Sequence, residues 1–357
     1  MLSLIRHSTV FISLLLLPVT NGLSSVSTDR FIPAGSPYIS YSGRVDLRDP
    51  KLARYTWPGI SISLRTTSSV VKAVLRDSIN IYHVIVDGKM SRDFMTNPQD
   101  RPVSIYEDLG NNEVKTISIY KRTESPKTSG EFLGFLIEQD SLLFKIKKPE
   151  RRIEFIGDSF TAGYGNTASE PSECDVRKTT NSYFSYASLL GRSLSSETIL
   201  TAWSGRGVVQ NYGDISPNPE NSIIAGLNKT LQNETQLWDF SHNVPDLVIM
   251  FMGLNDFSTK GDPSAEMFKK GYHRIIDHVF LKYKDVKVIC LGTRRYGIDR
   301  HVQEIVSEQR TKRKDKILYF QVPHHGKLNG CHGHPHLEIH RSYEKQLRPI
   351  VQKFMGW

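Results

Sequence analysis

Cysteine is scarce in this 357-residue chain: it has three, too few for a disulfide scaffold and an odd number, so at least one thiol stays unpaired within the chain. Long hydrophobic runs are scarcer still. The apolar stretch Val10 to Leu17 is short, and no later segment offers the ~20 apolar residues needed to cross a bilayer, so no membrane anchor is expected. Nucleic-acid motifs are missing as well. Lys+Arg 46 against Asp+Glu 37 gives a net charge of +9, but the basic residues are scattered, as in Arg151-Arg152, Arg294-Arg295 and Lys312-Arg313-Lys314, so nucleic acid is not an expected partner. A hydrophobic share of 38% and a charged share of 23% exclude a disordered or collagen-like chain.

The N-terminus carries Arg6, then the apolar run, then Pro18 and small or polar residues. This reads as a signal peptide over residues 1–22, cleaved near Gly22, and predicts a secreted, extracellular protein. Asn228-Lys-Thr230 and Asn233-Glu-Thr235 are glycosylation sequons, meaningful only in a eukaryotic secretory route. Cys290 lies in the apolar run Val288-Ile289-Cys290-Leu291 and reads as an inert core thiol. Cys174 and Cys331 fall in polar loops and are the candidate disulfide pair. A monomer is expected.

From residue 23 to 147 the pattern is short segments of period two. Ile60 to Leu64, Val70 to Leu75, Ile79 to Val86, Val114 to Tyr120 and Leu142 to Ile146 read as strands, Asp87-Gly88 as a hairpin turn, and the whole as a β-sandwich. After the charged break Lys148 to Arg152 the periodicity changes. Ile153 to Ile156, Thr198 to Leu200, Leu247 to Phe251, Lys287 to Leu291 and Ile317 to Phe320 read as buried strands. Helical windows fall at Tyr183 to Leu194, at Pro263 to Tyr283 with Asp262 as N-cap, and at His340 to Phe354. Residues 148–357 are therefore expected to form an α/β domain on a parallel sheet, with its chemistry beyond the carboxyl ends of the strands.

Four pieces follow those strand ends. Gly157-Asp158-Ser159 opens a glycine-rich loop that can expose a serine hydroxyl and point N–H groups at an anion. Ser204-Gly205-Arg206-Gly207 follows the second strand, and Gly253-Leu254-Asn255-Asp256, whose asparagine amide can donate to a developing oxyanion, follows the third. His332-Gly333-His334-Pro335 precedes the last helix. Each alone reads equally well as a turn or a solvated loop. Together they put nucleophile, oxyanion donors and base on one sheet edge.

The four pieces resemble the blocks of the SGNH (GDSL-type) hydrolase superfamily, and the chain after residue 22 resembles the carbohydrate esterases of family 2, which place a small jelly-roll domain before an SGNH domain of three αβα layers. Tyr41 to Asp46, Tyr120 to Glu124, Phe132 to Phe135, Asn211-Tyr212 and Gly330-Cys331 look like further family segments. The resemblance implies Ser159 as nucleophile and His334 as general base. It implies the N–H groups of Ser159 and Gly205 and the Asn255 amide as oxyanion hole, Asp158 as a structural residue, and Tyr212 at the acetyl or sugar site. It also implies a secreted esterase that deacetylates xylan or a related polysaccharide through an acetyl-enzyme, with no cofactor and no metal.

One position departs from the pattern. SGNH enzymes usually carry Asp two residues before the catalytic histidine, where this chain has His332, so either His332 or a backbone carbonyl orients His334. Three other readings compete. The histidines at 324, 325, 332, 334, 336 and 340 can be read as a zinc site. A GDSL lipase, which should show a long apolar loop, and a secreted glycan-binding protein without turnover are the others.

Overall fold

The computed structural model describes residues 29–77, 79–96, 102–172, 174–258, 261–323 and 325–357; the expected signal peptide and His324 lie outside them. Up to Phe144 the strands pair antiparallel in two six-stranded sheets. One has Gly130–Glu138 at its centre, flanked by Val70–Arg76 and Leu52–Tyr55, and the other is built on Ser61–Thr66, Lys115–Lys121 and Ile81–Val86. Period two is the cause: in Val70–Arg76 the side chains of Val71, Ala73 and Leu75 turn inward and the alternate ones outward. Inward residues of both sheets, among them Ile62, Ile119, Phe132 and Phe135, form one core together with Trp57 from the loop between Tyr55 and Ser61. Asp87 and Gly88 both take positive φ, which matches a two-residue hairpin with a primed turn. Strands without an alternating apolar signal, such as the largely exposed edge strand Lys89–Met95, complete the sandwich.

From Arg151 onward the sheet is parallel, with Arg151–Gly157 lying between Ser196–Ala202 and Leu247–Phe251, followed by Lys287–Gly292 and Ile317–Gln321. Leu247–Phe251 is buried at every position, as a strand covered on both faces must be. Three expected helices shift. The first is broken: a 3-10 turn at Ser182–Phe184 precedes Tyr186–Ser193, because Ser185 caps the second segment through Ser188 N–H. The next is Ala265–Lys282, capped by Ser264 rather than Asp262, since the Ser264 hydroxyl accepts Met267 N–H at 3.2 Å. The last starts earlier than expected, at Leu337. A helix absent from the sequence reading, Ile298–Arg310, buries Ile298, Val302, Ile305 and Val306 on one stripe of an otherwise charged surface.

The two halves share a buried joint. Arg44 of the sandwich is 2% exposed and donates to Glu154 at 2.9 Å and to the carbonyls of Leu227 and Lys229 at 2.6 and 3.0 Å. Trp57 Nε1 donates to the Thr230 carbonyl at 3.0 Å, and the Trp57 ring meets Trp203 edge-on at 6.0 Å. The first strand of the parallel sheet has neighbours on both sides, so the loops that follow Gly157, Ala202 and Phe251 lie side by side.

Candidate active site

At the end of the first parallel strand the chain turns into the four-residue helix Ser159–Ala162. Asp158 caps it, accepting Phe160 N–H at 3.0 Å, and Gly163 closes it in the left-handed region at φ +74°. Gly157 has no room for a side chain, since a Cβ there would stand 2.0 Å from Thr161 Oγ1. The turn holds Ser159, 6% exposed, with its hydroxyl donating to His334 Nε2 at 2.8 Å.

The other imidazole nitrogen fixes the tautomer. His334 Nδ1–H donates to the Cys331 carbonyl at 2.9 Å, and His334 N–H donates to the same oxygen at 3.0 Å, so Nε2 is left as acceptor for the serine proton. His332, in the left-handed region at φ +51°, turns its Nδ1 to Tyr164 OH at 3.1 Å, so the backbone carbonyl and not His332 orients the base. The Tyr164 ring lies 4.4 Å from that of His334, and Phe160 lies 5.5 Å from it. Burial lowers the His334 pKa to about 4.

Ser204 to Gly207 form a turn in which Gly205 takes φ +80°, and the Gly205 carbonyl accepts Tyr212 N–H at 2.9 Å. Asn255 Nδ2 donates to the Arg206 carbonyl at 2.8 Å and lies 3.4 Å from Asp158 Oδ2, which ties the third loop to the first two. Asp256, read from sequence only as a turn residue, accepts the N–H groups of Val208, Val209 and Gln210 at 2.8–3.0 Å and anchors the chain beyond the glycine turn. Burial pushes its carboxyl up to about 6, and that of Asp158 up to about 7. The Tyr212 side chain is 69% exposed on a loop tied to Gly205. Tyr164 and Asp256 received no role from the sequence because their partners, His332 and the N–H groups of Val208 to Gln210, lie far along the chain; position beside the Ser159 and Asn255 blocks was their only signal.

The remaining expected sites resolve as follows. No disulfide joins Cys174 and Cys331: the Cys331 Sγ lies 3.4 Å from Thr179 Oγ1 and interacts with Cys174, whose thiol donates to the Pro171 carbonyl at 3.0 Å. Cys290 is buried, and its pKa is pushed up to about 12. His340 is buried and accepts Tyr186 N–H at 3.1 Å, and no group of three His, Cys, Asp or Glu among the described residues converges as a metal site. Asn233 is exposed, whereas Asn228 is half-buried with Thr230 inside the fold. No helix among the described residues is long and apolar enough to cross a membrane.

Residues 41–146 match the family model of the carbohydrate esterase 2 N-terminal domain, and residues 155–318 match the GDSL-like lipase/acylhydrolase family. The chain is 30% identical over 331 residues to a cellulase/esterase CelE of Acetivibrio thermocellus, covering 90% of this chain and 40% of that protein. It is 34% identical over 208 residues to an acetylxylan esterase / glucomannan deacetylase of Cellvibrio japonicus, covering 57% and 56%. The chain thus spans about half the length of these relatives or less. Among solved structures, a family two carbohydrate esterase from Clostridium thermocellum in complex with cellohexaose superposes with a TM-score of 0.82 at 30% identity, over 89% of this chain and 99% of that one. A β-sandwich joined to an SGNH sheet, with likeness running through both halves, places this chain in carbohydrate esterase family 2.

Proposed function

We propose that this protein is a secreted esterase that removes acetyl groups from the hydroxyls of O-acetylated polysaccharides, xylan or a related glycan. The observation that carries the reading is the relay from Ser159 Oγ through His334 to the Cys331 carbonyl, at 2.8 and 2.9 Å. A serine hydroxyl so paired is activated toward a carbonyl carbon, and the carbonyl at Nδ1 holds the imidazole without adding a carboxylate.

The chemistry follows from that geometry. Ser159 Oγ bonds to the acetyl carbonyl carbon while its proton passes to His334 Nε2, and the carbonyl oxygen becomes an oxyanion facing the N–H groups of Ser159 and Gly205 and the Asn255 amide. The long Asn255–Asp158 contact of 3.4 Å is weak, so an arriving oxyanion can take over that hydrogen. Collapse breaks the bond to the sugar oxygen, which takes the proton from His334 and leaves an acetyl-Ser159. Water then attacks the acetyl carbon, giving its proton to His334 Nε2; the bond from that carbon to Ser159 Oγ breaks, Oγ takes the proton back from His334, and acetate departs.

Relatives support the substrate class: one is described as an acetylxylan esterase / glucomannan deacetylase, and one was solved with cellohexaose. The test is acetate release from acetylated xylan, acetylated glucomannan, acetylated chitin and a long-chain ester, side by side. Preference for the long-chain ester makes the protein a lipase; no turnover of any makes it a glycan-binding protein.

A further inference from the structure

The turn that carries Gly205 is pinned from the sandwich as well as from its own half. Ser204 N–H donates to Glu124 Oε1 at 2.9 Å, and the Ser204 hydroxyl donates to Glu124 Oε2. Glu124 lies three residues beyond the end of the sandwich strand Lys115–Lys121. The segment leading to it is held in turn: buried Lys121 donates through Nζ to the carbonyl of Thr123, the residue before Glu124, and to those of Thr56 and Trp57, at 2.6–3.2 Å. On the other side of the turn, Trp203 N–H donates to the Gly157 carbonyl at 3.0 Å, and Tyr212 N–H holds the Gly205 carbonyl. Glu124 thereby immobilises the residue whose peptide supplies the Gly205 N–H.

A carboxylate beside an oxyanion hole is electrostatically a poor choice, because its charge opposes the one that develops during acyl transfer. Its presence calls for a geometric reason, and the two bonds to one residue supply it: they fix both the main chain and the side chain of Ser204. We propose that Glu124, a residue of the β-sandwich, is a positioning residue for the oxyanion hole, acting through Ser204 on the N–H of Gly205. This rests on the esterase reading above. It makes the sandwich part of the catalytic machinery rather than a separate binding module.

The prediction separates geometry from charge. Gln can keep both contacts, accepting Ser204 N–H through its carbonyl oxygen and donating to Ser204 Oγ through its amide, whereas Ala keeps neither. The full chain is compared as wild type, Glu124→Gln, Glu124→Ala and Ser204→Ala by kcat and KM on 4-nitrophenyl acetate, by the rate at which a fluorophosphonate labels Ser159, and by thermal melting. Glu124→Ala should lower kcat and the labelling rate together by roughly 10- to 100-fold with KM nearly unchanged, the scale expected when a preorganised donor is misplaced. Glu124→Gln should restore both to within about threefold of wild type. Equal losses in Gln and Ala, or an Ala variant that turns over and labels like wild type, would overturn the proposal. If Glu124→Ala does not fold, Ser204→Ala decides: slower labelling than wild type supports the role, and wild-type labelling refutes it. A wild-type protein that neither labels nor releases acetate overturns the esterase reading itself, a result distinct from all of these.

Discussion

His334 Nδ1 lies 2.9 Å from the carbonyl oxygen of Cys331, three residues earlier in its own loop. The base is therefore oriented by a neutral dipole. A triad carboxylate would stabilise the imidazolium and raise the histidine pKa, whereas burial without that charge lowers it.

The pH profile should show this. His334 acts as base only when neutral, and its pKa is lowered by burial from 6.5 to about 4. On an acetyl ester, kcat/KM should stay level through pH 6.5 and fall only as pH drops through about 4. His332→Ala and His332→Asp should leave that limb in place, because His332 bonds Tyr164 instead. A limb near 6.5 that moves in His332→Asp would show that His332 faces the base. The stability sign is the same: a depressed histidine pKa favours the folded state above 6.5, and that contribution is lost as pH falls toward 4.

Ser159→Ala should abolish turnover with an unchanged melting temperature, since the hydroxyl serves acyl transfer. Asn255→Ala should lower kcat by roughly a hundred- to a thousandfold, the usual effect of losing one preorganised oxyanion donor. Near-normal kcat in Asn255→Ala would remove that amide from the hole.

At the joint, Arg44 and Glu154 are 2% and 1% exposed. Removing the cation alone strands a buried carboxylate, so Arg44→Met should cost about 3–5 kcal/mol in denaturant unfolding. Adding Glu154→Gln should recover part of the loss, because the amide oxygen can still accept from the Thr201 hydroxyl, which stands 2.5 Å from Glu154 Oε1, while the amide N–H in place of Oε2 can donate to the Tyr283 hydroxyl oxygen 2.8 Å away. A double variant less stable than Arg44→Met would count against the pair.

The contact between Cys331 and Cys174 predicts that mild oxidation closes a bridge between them and leaves Cys290 reduced. Burial raises the Cys331 pKa, so closure should be slow at neutral pH and faster as pH rises. Titration under denaturing, non-reducing conditions should then find one thiol. Three thiols after oxidation, or a mapped bridge to Cys290, would overturn the pairing.

The parallel sheet was legible because its strands are continuous apolar runs between turn signals: Leu247–Phe251 is read from sequence with the bounds it has in the fold. Helix Ile298–Arg310 was not, because its apolar stripe is diluted by charge and shows only against the strands it covers. The Ser159, Gly205, Asn255 and His334 blocks stood out because each follows a strand end. What orients the base stayed open between His332 and a backbone carbonyl, because a carbonyl has no residue type by which the sequence could choose it. Glu124 escaped for a different reason. Its partner Ser204 is 80 residues away in the other half of the chain, and no local pattern encodes that pairing.

The edge-on meeting of Trp57 and Trp203 joins the two hydrophobic cores, since Trp203 packs against both. Cutting the chain at the charged break would bare an indole on each piece and strand the Arg44 guanidinium on one and the Glu154 carboxylate on the other. Recombination that moved either half alone would inherit those exposed faces. The two halves therefore move as one unit of roughly two domains.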